Sequence, residues 1–258
     1  MERLNKERLK ILETKLKDLF PHSMQMYGYI FQKNRIKSDH VHVFVDCWPD
    51  FRVVLCNSCE KEGSHYEEMC LFTKDGDISK NILGAINIID WSKFFVLGTS
   101  LGDEDAVMVV ASDRKAQGNK VAVCHMMTLQ DPSCLPRVDR ETEAKISSLD
   151  ETHSDLVNKT WKFGAEEHSL GKIRNMIRHY PSCCMMCTQK QLPIAWILTY
   201  PSGAMGMMYT LPEHRGQGLA KALVISMSRR LHAQGYPVYC FVEEGNSVLQ
   251  PLQRPGLY

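Results

Sequence analysis

"MMYTLPEHRGQGLAKALVIS", residues 207–226, decides the fold. It begins apolar and β-prone, breaks at Pro212, passes Arg215 and two glycines, then takes up helical spacing. A strand that feeds a glycine loop opening a helix is a phosphate-binding device. Glycines let the backbone turn so that successive N–H groups face one anion. The helix adds its unpaired N–H groups and about half a positive charge at its N-terminus. Leu219, Leu223, Met227 and Leu231 form one stripe, and Gly235 supplies a C-terminal cap.

The neighbouring sequence places this loop late in an antiparallel sheet. "CCMMCTQ", "LPIAWILTY" and "AMGMMYTL", separated by "QKQLP" and "YPSGA", read as a three-strand meander. "PVYCFVEE" (237–244) is a further strand after the helix. A dinucleotide fold would put G-x-G-x-x-G directly after the first strand of a βαβ unit, so that alternative fails. "THSDLVNKTW" and residues 166–179 read as helices, and "AKISSL" as a strand.

Upstream, Leu9, Leu12, Leu16 and Leu19 mark an amphipathic helix that Pro21 stops, expected to dock on a sheet. "MYGYIF" (26–31), "HVHVFV" (40–45), "FRVVLC" (51–56), "FFVLG" and "KVAVCHMM" read as strands, with "WPD" (48–50) as a hairpin turn and "ISKNILGAIN" as a helix. "QDPSCLPRVDRE" (130–141), with its two prolines, is the expected junction. It divides a mixed α/β N-terminal domain, 1–133, from a second domain, 134–258. Both halves share a loose order of helices and strands, which leaves a tandem of similar folds open.

Composition removes other classes. Of 258 residues, 44% are hydrophobic and 24% charged, the usual range for a globular chain. Lys and Arg number 31 against 30 Asp and Glu, so no global field points to nucleic acid. No apolar run reaches the roughly 18 residues of a membrane helix, and residues 1–20 have no secretory core. Ten cysteines without a secretory signal imply a reducing compartment. Cys56/Cys59 and Cys184/Cys187 have metal-knuckle spacing, but about 125 residues separate them. A zinc ribbon uses roughly 15 to 20, so buried thiols are expected and no metal. His40 and His42 share a strand face without a third ligand nearby.

Arg215, Gly216, Gln217, Gly218, Leu219 and Ala220 match the [QR]-x-x-G-x-[GA] acyl-CoA signature of the Gcn5-related N-acetyltransferase (GNAT) superfamily. With "VDCWPDFRVV" (45–54), "LVNKTWKFG" (156–164) and "YTLPEHRGQGL" (209–219), the chain to about Asn246 resembles the glycine N-acyltransferase family. The resemblance implies an α+β, GNAT-like fold and transfer of an acyl group from acyl-CoA to glycine or a similar amino acid. Acyl-CoA is then a co-substrate, with no permanently bound cofactor. It implies a mitochondrial protein, with the cytosol as the alternative.

By the same resemblance, the pantetheine arm runs along Thr210 and Leu211, and the pyrophosphate sits on Gly216–Ala220. Arg215 adds a charge or is a solvated surface arginine; Asn246 touches CoA or simply makes a turn. Catalysing relatives carry an acidic base shortly before "TLPE", and that position is Ala204 here. The catalytic residue is therefore unassigned, Glu213 and His214 being the nearest ionisable groups, both in a loop open to solvent. A weakened or inactive acyl-CoA binder is the alternative to a working transferase. The end, "SVLQPLQRPGLY", reads as a truncated terminus that leaves the GNAT-like domain incomplete. The 237–242 strand would then have an open edge available to a protein partner.

Overall fold

The structure, a computed structural model, describes residues 1–36, 41–58, 67–74, 83–84, 86, 88–164, 167–187, 189 and 191–246. His40, Cys59, most of "ISKNILGAIN" and the 247–258 tail lie outside the described residues. The chain divides into two compact units, Met1–Val121 and Ala122–Tyr258.

The first unit runs β1 (Glu2–Arg3), α1 (Lys6–Lys17), α2 (Met24–Arg35), β2 (Val41–Val45), β3 (Val53–Ser58), β4 (Glu67–Thr73), β5 (Phe95–Gly98) and α3 (Glu104–Asp113). Asn5 caps α1 by accepting the Arg8 N–H at 3.0 Å. Leu9, Leu12 and Leu16 bury the expected face of that helix. The sheet order is β1-β2-β3-β4-β5, antiparallel except for the parallel β4–β5 pair. Val53, Leu55, Met69, Leu71, Ala106 and Val110 pack together beneath α3.

"MYGYIF" is not a strand but the middle of α2. Residues 26–31 are all buried, so no polar face reveals the helical period and an apolar run this short fits either structure.

The second unit runs β6 (Cys124–Leu129), α4 (Arg140–Ala144), β7 (Ile146–Ser147), α5 (Ser154–Thr160), α6 (Glu167–His179), β8 (Ser182–Cys187), β9 (Leu192–Thr199), β10 (Met205–Thr210), α7 (Leu219–Ala233) and β11 (Val238–Glu243). Its sheet order is β6-β11-β10-β9-β8-β7. The expected meander is present as β8, β9 and β10, antiparallel throughout. On one face, Leu149, Val157, Ile173, Met176, Trp196 and Met207 pack together under α5 and α6. On the other, Leu223, Met227 and Leu231 of α7, all 0% exposed, meet Cys183, Met185, Ile197 and Met205.

Two expectations are corrected here. The strand after α7 has no open edge, because β11 pairs along its whole length with β6, from Val238↔Leu129 to Glu243↔Cys124. The β6 residues were read from sequence as part of the first half; their backbone hydrogen bonds belong to the second sheet. Residues 130–141 accordingly lie inside the second unit, which begins at Ala122. Pro132 and Leu135 are buried, and Arg229 of α7 donates to the Leu135 and Pro136 carbonyls at 3.1 and 3.2 Å.

Within each unit a short strand, two helices and three antiparallel strands lead to a strand parallel to the last; the second unit adds β6 and α4 ahead of this order and sets β6 on the outer edge of β11.

Candidate functional site

The site is built where β10 and β11 part. These parallel strands share a single register couple, Met205↔Cys240, although each is six residues long. A bulge in β10 accompanies the divergence. Gly206 faces Leu198 and Tyr209 faces Trp196, so Met207 and Met208 together oppose one residue of β9, and Met207 takes φ +48°. Tyr209 is held against Trp196, ring centroids 5.5 Å apart and stacked. The Leu211 N–H is spent on the Ile194 carbonyl at 2.9 Å. Strand N–H groups alternate in direction, so that of Thr210 points the other way, into the gap toward β11.

The glycine loop closes one end of this gap. A short turn, Pro212–His214, leads into it, with Glu213 exposed and His214 half-buried. Gly216 and Gly218 both have φ +76°, the left-handed region, and a side chain on either would meet open space. Gly218 is the N-cap of α7, and Gln217, Leu219 and Ala220 complete the turn. The N–H groups of Gly216, Gln217 and Gly218 find no acceptor among the described residues. Arg215 folds back instead of reaching over the loop. Its Nε donates to the Thr210 carbonyl at 3.1 Å, and its guanidinium lies 5.5 Å from the Tyr209 ring centre. Asn246 sits in the turn after β11, donating its N–H to the Glu243 carbonyl at 3.0 Å.

Ala204 is the residue before β10, 1% exposed, and its carbonyl accepts the Tyr200 N–H at 2.8 Å. Next to it, Gly206 lies under the Tyr200 ring, where a Cβ would come within 2.0 Å of a ring carbon. Tyr239 of β11 donates its hydroxyl to the Ser202 carbonyl at 2.5 Å. The sequence reading missed Tyr200, Gly206 and the bulge. The glycine was the available signal, since a glycine within a strand marks a bulge or a close approach.

The nearby thiols are inert. Burial pushes Cys240 up to about 11, and burial with the neighbouring Cys183 thiol pushes Cys184 to about 11. Cys56 and Cys183 are buried with raised pKa values for the same main reason, the behaviour of small hydrophobic residues.

A sheet with α5 and α6 on one face and α7 on the other, splayed beside a glycine loop, is the architecture of the GNAT acyltransferases. A Drosophila protein of known structure shares the fold with TM-score 0.79 at 17% identity, covering 97% of this chain and 92% of that one. A tandem GNAT protein from the clavulanic acid biosynthesis pathway, solved without AcCoA, gives 0.53 at 13% identity over 97% and 91%.

Residues 1–181 match the family model described as aralkyl acyl-CoA:amino acid N-acyltransferase, and residues 186–250 match that of FR47-like protein. The chain belongs to the aralkyl acyl-CoA:amino acid N-acyltransferase family. Similar relatives include a mouse glycine N-acyltransferase-like protein, 28% identical over 95% of this chain and 90% of its own length. Human glycine N-acyltransferase is 29% identical over the same shares, and bovine glycine N-phenylacetyltransferase 28% over 94% and 89%.

Proposed function

We propose that the protein transfers an acyl group from acyl-CoA to the amino group of glycine or a similar small amino acid and releases CoA. The observation that carries this reading is the single β10–β11 register couple beside a glycine loop with uncommitted N–H groups. On this reading the CoA pyrophosphate lies on Gly216–Ala220 at the positive end of α7. The pantetheine arm follows the β10 edge at Thr210 and Leu211. Arg215 and Asn246 border the bound CoA, Arg215 chiefly by fixing the Tyr209–Thr210 end of the strand.

The amine nitrogen adds to the thioester carbonyl, whose oxygen gathers negative charge. A backbone N–H fixed toward the gap, as at Thr210, stabilises that charge without reorganising. The C–S bond then breaks, the new amide forms, the amine gives up its proton, and the CoA sulfur leaves as thiolate to be protonated. Thiols raised by burial make poor nucleophiles, which favours direct attack over an acyl-cysteine intermediate. With alanine at 204, no carboxylate stands where relatives are expected to carry their base. Positioning and carbonyl polarisation then do the work, and the free amine must come from solution.

The compartment proposed from the family resemblance is mitochondrial; a fluorescent fusion imaged in cells separates that from the cytosol. The main test is release of free thiol from phenylacetyl-CoA by the purified chain, with and without glycine. Glycine-dependent release is expected, and Gly218→Glu should abolish both it and saturable CoA binding. A chain that binds CoA yet releases no thiol with any small amino acid refutes the transferase reading. Unchanged CoA binding in the variant refutes the loop assignment.

A further inference from the structure

The face of the second sheet opposite α7 carries the Lys162–Glu243 ion pair at the C-terminal end of β11. Glu243 ends β11, three residues beyond the last couple with β10. Side chains alternate along a strand, so Glu243 shares its face with Tyr239 and not with Val238, which packs on the α7 side. Lys162 Nζ lies 3.0 and 2.9 Å from the two Glu243 carboxylate oxygens, although 81 residues separate them in sequence.

The lysine is presented by a rigid turn. The Trp161 N–H donates to the Val157 carbonyl at 3.0 Å, and the Gly164 N–H to the Trp161 carbonyl at 2.9 Å. Gly164 lies so close to Asn158 that a Cβ would stand 1.8 Å from its carbonyl oxygen. The Trp161 and Phe163 rings pack edge to face at 5.6 Å, with Lys162 Nζ 5.1 Å from the Phe163 ring centre. Stability does not explain this construction, because the two side chains are 62% and 40% exposed and an exposed pair contributes little. A lysine held at the end of β11 by a weak bond can instead give up Glu243 for the carboxylate of a substrate.

Resting on the transfer reading above, we infer that Lys162 anchors the acceptor: it exchanges Glu243 for the α-carboxylate of a free amino acid, whose amine arrives unprotonated. Simple amines and peptide N-termini, which lack an adjacent carboxylate, are excluded. Cys124, the cross-strand neighbour of Glu243, stays a neutral thiol, its pKa raised by burial and then by the Glu243 charge, and Lys172 Nζ lies 5.9 Å from the Trp161 ring centre.

The test is calorimetric titration of the full chain, with CoA present, by N-phenylacetylglycine and by its primary amide. The acid should bind about tenfold or more tightly than the amide, the value of a charge-assisted contact. Lys162→Met should erase that preference and Lys162→Arg keep most of it, with melting temperatures unchanged. Glu243→Gln should tighten the acid and lower KM for glycine, since Lys162 loses its competitor. Acid and amide binding equally to the unmodified chain overturns the subsite, as does a preference that survives Lys162→Met. Glycine turnover without the preference leaves the transferase and removes the subsite; the preference without turnover does the reverse.

Discussion

Replacing Ala204 with glutamate should turn a chain that waits for free amine into one that makes it. The position is 1% exposed, near the Tyr239–Ser202 hydrogen bond and two residues before Gly206, whose open side the Tyr200 ring fills, so a longer side chain must displace its neighbours. Desolvation there raises a carboxyl pKa toward neutrality, where a general base works best. Burying the group costs roughly 1–3 kcal/mol if it is partly satisfied, out of a typical 5–15 kcal/mol for a folded domain. The variant therefore stays folded. General-base assistance is worth about 10²–10⁴ in rate.

In the unmodified chain, glycine-dependent thiol release should climb about tenfold per pH unit until the amine pKa, near or above about 8, is reached. Ala204→Glu should raise the rate at pH 7 by at least about 10² and flatten that slope. Ala204→Gln, of equal size but unable to take a proton, should do neither. Equal rates for the Glu and Gln variants, both still binding CoA, would refute the placement of the missing base.

Gly164→Ala should be costly, because its Cβ would meet backbone that cannot yield; a loss of about 2 kcal/mol or more is expected, read as a drop of roughly 1 M in urea midpoint. CoA should bind once per chain by calorimetry. In the first unit the parallel pair β4–β5 is zipped through four couples, from Glu67↔Phe95 to Cys70↔Gly98, and a stoichiometry of two would refute this reading. Burial holds the Cys70 thiol at about 12 and Cys240 at about 11, above an unfolded value of 9.0. Raised values favour the neutral folded form, so their stabilising contribution is complete below pH 9 and is lost as pH rises through 11 to 12. Denaturant midpoints from pH 8 to 11 should fall, and native alkylation at pH 8 should mark the exposed Cys47 and Cys134 while sparing Cys70.

What could be read from sequence was local. The glycine loop declares itself because left-handed backbone at 216 and 218 calls for glycine, and α7 because its stripe repeats at helical spacing. The β8–β10 meander follows from turn residues between apolar runs. What failed was non-local or masked by burial. Residues 26–31 gave no period because every side of α2 there is covered. The destination of β6 could not be seen, because its ladder joins residues more than a hundred positions apart. The β10 bulge falls at Met207, a residue type that does not announce positive φ. Lys162 and Glu243 looked like two ordinary surface charges until the fold joined them.

The repeated topology shows what a working cleft requires. Prying β11 from β10 forgoes backbone hydrogen bonds worth about 0.5–1.5 kcal/mol each, and a strand released on one edge needs another support. That support is β6, whose six couples hold β11 along its full length and let it stand away from β10. The bulge at Met207 and Met208 bends β10 in compensation, and α7 covers the apolar face beneath through Leu223, Met227 and Leu231. The first unit has five strands in the corresponding order, with no counterpart of β6 among the described residues, and its parallel pair stays closed. The shared order thus gives a zipped sheet in the first unit and a cleft in the second. Among the described residues the difference lies in the added strand β6 and in how far the parallel pair bonds.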